Sequence, residues 1–160
     1  GLAMAVGVSL EHVVQGLSTF KPVKGRMLPR KSTSGALIFD DTYNANPGSV
    51  RAAIDLLAAC PDKRTLVLGA MRELGPESEM MHRAIGEYAR ERGLQGLCGV
   101  GPELQGAVEA FGDGGQWYPD REAAIAELMS QFGASDIVLV KGSRSAGMES
   151  VLQALIGEGA

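Results

Sequence analysis

Two acidic residues and two asparagines in the segment FDDTYNANPGS, residues 39–49, are the side chains of this sequence best suited to a nucleotide. A carboxylate at the end of a buried strand, such as Asp41, can accept hydrogen bonds from ribose hydroxyls. Asn44 and Asn46 each offer an amide donor and an acceptor, which suit a base edge or a phosphate. Asn46 alone is explained as well by an N-cap, because Pro47 follows it and proline favours the first helical position. The cluster as a whole predicts a nucleotide-binding loop, and it leaves open which asparagine contacts the nucleotide.

A second loop, VKGSRSAGME at residues 140–149, places two cations and two hydroxyls between a strand and a helix. Lys141 and Arg144 can pair with anions, while Ser143, Ser145 and free backbone N–H groups can donate hydrogen bonds. These residues predict an anion-binding loop, although the pattern also fits a solvated turn whose charges meet no ligand. The phosphate-binding order G-x-x-x-x-G-K-[ST] does not occur in the sequence.

Residues 69–82, GAMRELGPESEMMH, contain a long loop between a strand and the start of a helix, and such loops are often functional in compact domains. Arg72 and Glu73 are its candidates for contacting a polar substrate, whereas His82 is interpreted as a structural histidine. Arg26, which follows Gly25 in a connector, can reach phosphates across a cleft between domains. The segment GVGPELQG at residues 99–106 imitates a dinucleotide-binding fingerprint, but a leucine replaces its third glycine and no site is assigned there.

The elements that must position these loops alternate between strand and helix. Short apolar runs predict strands, and amphipathic segments with capping residues predict the helices between them. We expect strands at residues 36–39, 65–68, 97–100, 116–118 and 137–140, and helices at 47–59, 77–92, 102–111, 121–131 and 146–156. This alternation predicts a three-layer, doubly wound α/β domain with a mostly parallel sheet. The candidate loops would then lie at the carboxyl ends of strands, where such folds bind ligands.

Length and composition limit the class of protein. The chain has 160 residues, 45% hydrophobic and 21% charged, which is the balance of one ordinary domain. Its formal net charge of −4 argues against a broad nucleic-acid-binding surface, and its apolar runs are too short to suggest a membrane span. Cys60 and Cys98 lie in apolar surroundings and lack the spacing of a metal or redox pair, so we expect two reduced core thiols. Near the start, Ser9 can cap a short helix over residues 10–17, and the connector that follows predicts a domain boundary near residue 20.

Four motifs carry a resemblance to a known family. The segments KPVKGRM, DDTYNANPGSVRAA, LGAMRELG and LVKGSRSAGME occur in this order. Together they resemble the C-terminal domain of the Mur ligase family, in the branch that adds D-Ala-D-Ala, and the resemblance covers essentially the whole chain. It implies that residues 1–20 are the helical end of a central ATPase domain. Residues 21–160 would form a Rossmann-like C-terminal domain with one antiparallel strand, for which residues 27–31 are the candidate.

The resemblance also implies an activity, that of an ATP-dependent ligase of bacterial peptidoglycan synthesis in the cytoplasm. ATP phosphorylates the terminal carboxylate of a UDP-MurNAc-tripeptide, and the amine of D-Ala-D-Ala then attacks the acyl phosphate. Mg²⁺ offsets the phosphate charge, with its ligands expected mostly in the central domain. Carried over by position, the roles are ATP binding for Arg26, Asp41, Asn44 and Asn46, catalysis for Lys141, Arg144 and Ser145, and substrate binding for Arg72, Glu73 and Ser143. Ala70 stands where many members have an aspartate, and it receives no role.

Other classes of function make different predictions. We expect the chain alone to be inactive, because the resemblance assigns the phosphate-binding loop and the UDP-sugar-binding domain to other parts of a longer protein. A folylpolyglutamate-synthase-like ligase shares the architecture, but the motifs YNANP and KGSRSAGME disfavour it. A non-catalytic nucleotide-binding or regulatory module is the alternative from outside the enzymes. A dinucleotide oxidoreductase is disfavoured by the incomplete fingerprint and by the cationic loops.

Overall fold

The computed structural model describes residues 23–158, together with Ser9 and His12. The backbone N–H of His12 donates to Ser9 Oγ at 3.3 Å, which is the contact expected of a cap at Ser9. The remainder of the predicted helix over residues 10–17 and the predicted boundary near residue 20 lie outside the described residues.

The described residues form one mixed sheet of six strands, and the strand order is β1-β2-β6-β3-β4-β5. Strand β1 pairs antiparallel with β2, and the other neighbouring strands run parallel. The predicted antiparallel edge strand and the mostly parallel sheet are therefore confirmed. The strands are β1 (Leu28–Lys31), β2 (Leu37–Asp41), β3 (Lys63–Gly69), β4 (Gly96–Val100), β5 (Gly115–Tyr118) and β6 (Asp136–Lys141).

Helices cover both faces of the sheet, which confirms the predicted three-layer architecture. Alternate residues of β3 separate two cores: Leu66 and Leu68 pack with α1, α2 and α3, whereas Val67 packs with α4 and α5. No helix of the described part is both long and apolar enough to cross a membrane. The helices are α1 (Pro47–Ala58), α2 (Ser78–Glu91), α3 (Gln105–Phe111), α4 (Arg121–Leu128) and α5 (Glu149–Ile156).

Helix α1 begins where its capping residues predict. Asn46 Oδ1 accepts from the Ser49 N–H at 2.8 Å, and the Asn46 N–H donates to Ser49 Oγ at 3.1 Å, so two of the exposed backbone donors are satisfied. Helix α5 begins three residues later than predicted, at Glu149. The reason is Gly147, whose left-handed φ of +62° ends the short 3₁₀ turn over residues 144–146.

Close packing accounts for part of the high glycine content. A β-carbon on Gly69 or on Gly142 would lie 2.6 or 2.5 Å from the buried side chain of Met148. A side chain at Gly86 would overlap the backbone carbonyl of Ala107, at the crossing of α2 and α3. Gly69 and Gly142 therefore allow Met148 to pack closely against the sheet, and Gly86 allows α2 and α3 to approach each other.

The two cysteines are unpaired, as predicted, and they differ in accessibility. Cys98 is buried in β4, as predicted, whereas Cys60 is half-buried after α1 and packs against the core rather than within it, which corrects the prediction of a second core thiol. Burial raises the pKa of the Cys98 thiol to about 12, because the thiolate loses its hydration there. Cys98 is therefore an inert core thiol.

Candidate functional site

Three adjacent parallel strands, β2, β6 and β3, bring the predicted loops together at one edge of the sheet. Asp41 at the end of β2 is the register partner of Lys141 at the end of β6. Lys141 is also aligned with Leu68 of β3. The loops that follow these strands, at residues 42–46, 70–77 and 142–148, are therefore neighbours although they are far apart in sequence.

Two adjoining cavities lie among these loops. Cavity A has a volume of about 500 Å³ and cavity B of about 270 Å³, and Asn44 and Asn46 line both. Together the two cavities include all ten residues that the sequence predicts for the site. Cavity A is lined by Asn44, Ala45, Asn46, Arg72, Glu73, Ser143, Arg144 and Ser145, and cavity B by Gly25, Arg26, Asp41, Tyr43, Asn44, Asn46, Ser49 and Lys141.

Lys141 forms a buried ion pair across the strand pair. Its Nζ donates to Asp41 Oδ2 at 2.6 Å and to the backbone carbonyl of Asn44 at 2.8 Å. The Lys141 side chain is 3% exposed and the Asp41 side chain 16% exposed. Lys141 is thus held at the floor of cavity B, where it fixes Asp41 and the start of the loop that follows β2.

The carboxylate beside this pair, Asp40, organises the connector that carries Arg26. Asp40 is buried, and its Oδ2 accepts from the Gly25 N–H at 3.0 Å while its Oδ1 accepts from the Thr42 hydroxyl at 2.7 Å. The Tyr43 N–H donates in turn to the Gly25 carbonyl at 3.0 Å. These bonds fix the end of the connector against the carboxyl end of β2.

Two arginines from different loops converge on the ring of Tyr43. The Cζ atom of Arg26 lies 4.4 Å from the ring centroid and that of Arg144 lies 6.0 Å from it. The face of an aromatic ring attracts cations, so Tyr43 holds two positive charges close to the cavities. Neither guanidinium takes part in a salt bridge within the described part of the chain. Both guanidinium groups can therefore bind an anionic ligand.

The two asparagines differ in what their side chains already contact. Asn46 Oδ1 is engaged by the cap of α1, although the residue is exposed. The Asn44 side chain is exposed and makes no hydrogen bond to the described residues, while its backbone carbonyl is held by Lys141. Of the two, Asn44 has the freer amide for a ligand.

The wall of cavity A opposite the asparagines is built from the loops after β3 and β6. The Arg72 Nη1 donates to Glu103 at 2.9 Å, so this arginine reaches the cavity already partly neutralised. Glu73 has a left-handed φ of +62°, which is uncommon outside glycine and marks a constrained turn. Ser143 is buried, and its hydroxyl lies 3.4 Å from that of Ser145.

Sequence reasoning missed Tyr43 as a member of this site, and it included Asp40 in the acidic pair without giving it a role of its own. The alternation of β2 could have identified Asp40, because buried positions alternate along that strand and Asp40 continues the series from Ile38. No local signal identifies Tyr43, whose role arises from the meeting of two distant arginines.

The charges of the site suit an anion better than a metal ion. The described residues contain no group of three or more His, Cys, Asp or Glu side chains that could hold a metal. Asp41 is paired with Lys141, and Asp40 is used by backbone N–H groups and by Thr42. Arg26 and Arg144 are exposed cations of the site that can bind an anionic ligand.

Comparisons with known proteins show which family this chain resembles. A family model described as Mur ligase, glutamate ligase domain, matches residues 25–144. The chain is 41% identical over 156 residues to the UDP-N-acetylmuramoyl-tripeptide–D-alanyl-D-alanine ligase of Escherichia coli (strain K12), an overlap of 96% of this chain and 34% of that protein.

The chain is also similar to solved structures. The chain is similar to MurF from Acinetobacter baumannii, with a TM-score of 0.83 and 32% identity over 98% of this chain and 35% of that one. It is also similar to the MurF ligase from Thermotoga maritima in complex with ADP, with a TM-score of 0.79 and 31% identity over 98% of this chain and 36% of that one. The chain thus spans about a third of the length of the relatives it matches.

Proposed function

This chain belongs to the Mur ligase family, and from that premise we propose that it is the C-terminal domain of the ATP-dependent ligase that joins D-Ala-D-Ala to UDP-MurNAc-tripeptide. The observation that carries the proposal is the gathering of all ten predicted residues around cavities A and B. Relatives of this chain that span the same residues are named as that ligase. Residues 21–160 would be the C-terminal domain, residues 1–20 the end of the central domain, and the bacterial cytoplasm the place of the reaction.

We propose that cavity B binds the nucleotide. Arg26 lies at its mouth and can reach the ATP phosphates, while Asp41 can accept from the ribose hydroxyls with the oxygen that Lys141 leaves unused. Asn44 is the better candidate for a further polar contact, because the side-chain oxygen of Asn46 already accepts from the Ser49 N–H at the start of α1. One structure similar to this chain is described as a complex with ADP, which supports a nucleotide at this family's site.

We propose that cavity A binds the dipeptide and the transferred phosphoryl group. In the reaction, the tripeptide carboxylate takes the γ-phosphoryl group of ATP with release of ADP. The dipeptide amine then attacks the resulting acyl phosphate, and phosphate leaves as the amide bond forms. Negative charge builds up on the phosphoryl oxygens and on the oxygen of the tetrahedral intermediate, and the Arg144 guanidinium and Ser145 hydroxyl would stabilise it. Arg72, Glu73 and Ser143, which line the same cavity, would bind the zwitterionic dipeptide.

Mg²⁺, when bound, offsets the phosphate charge. The side chains of cavities A and B would contribute positioning and cationic charge. Lys141 contributes through Asp41 and the Asn44 carbonyl, which it holds in place.

The test is amide-bond formation by the whole protein that contains this chain. We expect phosphate release that requires ATP, Mg²⁺, UDP-MurNAc-tripeptide and D-Ala-D-Ala together, with the pentapeptide product identified by mass spectrometry. The same assay with a folate polyglutamate acceptor and glutamate should give no product. Product from the folate substrates, or nucleotide binding without any product, would reject the proposal in favour of the rival ligase or of the non-catalytic module.

A matched pair of variants tests the placement of the site. Arg144→Ala removes an exposed cation from cavity A, and we expect kcat to fall by roughly 10²-fold, the usual effect of losing one charge-stabilising group. Arg83→Ala removes an equally exposed cation on α2 whose partner is Glu87, outside both cavities. It should leave turnover within about twofold, since exposed pairs of this kind contribute little. Equal losses in the two variants would place the site elsewhere.

A further inference from the structure

One peptide group of the loop after β3 is held from two sides by separate elements. The Ala70 carbonyl accepts from the Ser143 N–H at 3.0 Å, and the Met71 N–H donates to His82 Nε2 at 3.0 Å. These two groups are the C=O and the N–H of a single planar peptide. Its orientation is therefore set jointly by helix α2, which carries His82, and by the loop after β6, which carries Ser143.

The two hydrogen bonds of His82 fix the state of its ring. Because Nε2 accepts from a backbone N–H, it carries no proton. Nδ1 lies 2.8 Å from the Ser78 carbonyl, which can only accept, so Nδ1 carries the proton and donates it. His82 is fully buried, and it lines neither cavity. The ring is thus a neutral imidazole that presents one acceptor to one backbone donor.

The residues on both sides of the clamped peptide are those that face cavity A. Arg72 and Glu73 follow Met71 directly, and Arg144 and Ser145 follow Ser143 directly. A rotation of the Ala70–Met71 peptide would therefore move both of these loops, and with them the lining of cavity A that they form, at once. Glu73 already has a left-handed backbone conformation, so the loop has little conformational freedom to compensate for such a rotation.

We propose that His82 is a positioning residue, which sets the two loops of cavity A through the Ala70–Met71 peptide without touching a ligand. The structural part of this inference stands on the hydrogen bonds alone, and its consequence for catalysis rests on the proposed function. Since cavity A is the side assigned to the dipeptide, loss of the clamp should weaken dipeptide binding while ATP binding stays nearly unchanged.

Two variants separate the acceptor from the bulk of the ring. His82→Leu keeps an apolar side chain of similar size but removes the acceptor, which leaves the buried Met71 N–H unsatisfied. His82→Gln can place its Oε1 near the position of Nε2 and so retain an acceptor, although it loses the bond to Ser78. A residue that merely fills space would tolerate the leucine at least as well as the glutamine.

The first measurement is amide hydrogen exchange of this chain by NMR, which does not depend on any activity. In His82→Leu we expect exchange at Met71 and at Ser143 to become about tenfold faster, the factor that corresponds to one net hydrogen bond. The Leu97 amide, in strand β4 between β3 and β5, should keep its wild-type rate, and His82→Gln should stay within about threefold at all three amides. Unchanged rates at Met71 and Ser143 in His82→Leu would overturn the proposal. If that variant does not fold, the imidazole ¹⁵N shifts of the wild-type chain decide the matter, since a proton on Nε2 would overturn it and a proton on Nδ1 alone would support it.

The second measurement uses the whole ligase. His82→Leu should raise the KM for D-Ala-D-Ala roughly tenfold and leave the KM for ATP within about twofold, and His82→Gln should restore most of the loss. Equal rises in both KM values would overturn the assignment to cavity A. If the wild-type protein forms no amide bond, the proposed function fails, while the exchange rates still decide whether His82 holds the peptide.

Discussion

Replacing Lys141 by methionine should destabilise this chain strongly, because it leaves a carboxylate without its partner. Methionine keeps most of the length and volume of the lysine stem but removes the ammonium group. Asp41 Oδ2 and the Asn44 carbonyl then both lose a donor. The side chains of the pair are 3% and 16% exposed, so water can replace the ammonium only from the side of cavity B.

The magnitude follows from the distance and the burial of the pair. Two unit charges 2.6 Å apart attract by about 6 kcal/mol at an effective dielectric constant of about 20, and much of this is offset by the desolvation of both groups. Removal of one partner from a buried pair typically costs about 3–5 kcal/mol. Because Asp41 keeps some contact with the cavity, we expect about 3 kcal/mol for Lys141→Met. The double variant Asp41→Asn with Lys141→Met removes the stranded charge, and it should recover at least half of that loss.

Urea unfolding followed by fluorescence provides the measurement. Trp117 is the one tryptophan of the sequence, and its indole N–H donates to the Gly101 carbonyl at 2.9 Å on the edge of the sheet, so unfolding should change its emission. The single variants, the double variant and the wild type form a double-mutant cycle. A loss below about 1 kcal/mol for Lys141→Met, or a double variant less stable than either single one, would refute the buried-pair reasoning.

The remaining predictions concern the connector, a helix cap and a thiol. Arg26→Ala should lower the free energy of unfolding by no more than about 1 kcal/mol, since an exposed cation–π contact contributes little, while turnover of the whole ligase falls strongly; a large loss of Tm would make Arg26 structural instead. Asn46→Ala should cost about 1 kcal/mol in urea unfolding and Asn46→Ser much less, because only serine keeps a capping oxygen; equal losses would contradict the cap. Cys60 should react with iodoacetamide at pH 8 well before Cys98, and equal labelling rates would contradict the burial of Cys98. Burial raises the pKa of Cys98 from 9.0 to about 12, so between these values the folded state holds a proton that the unfolded state releases. The free energy of unfolding should therefore fall by up to about 1.4 kcal/mol per pH unit in that range, and Cys98→Ala should reduce the slope.

Local sequence patterns were sufficient for most of the fold. Strand β6 is a continuous apolar run, and α1 begins at an asparagine followed by proline, so neither required knowledge of distant residues. The loops after three such strands could be assigned to one edge, because parallel strands in a doubly wound sheet all end on the same side. The clustering of nine of the ten site residues follows from that rule, whereas Arg26 lies in the connector before the antiparallel strand β1.

The contacts within the site could not be predicted in the same way. Asp41 and Lys141 are 100 residues apart, and their pairing depends on β6 lying beside β2, an order that no local pattern specifies. The sequence therefore presented Lys141 as a free cation, whereas the structure places it in a buried pair. His82 was interpreted as structural from its position on a helix, but its link to Ser143 requires the loops after β3 and β6 to meet.

The buried pair also predicts how stability, ATP affinity and kcat of the whole ligase should change in the same double-mutant cycle. If Lys141 acts by holding Asp41, the double variant should regain stability but not ATP affinity, because asparagine accepts the ribose hydroxyls less strongly than a carboxylate does. If Lys141 instead contacted the transferred phosphoryl group directly, Lys141→Met would lower kcat with the KM for ATP unchanged. The hydrogen bonds favour the first result, since two acceptors of this chain already engage the ammonium and the side chain is almost fully buried. A fall in kcat alone, in a variant whose stability the Asp41→Asn change has restored, would show that the ammonium leaves this pair during the reaction.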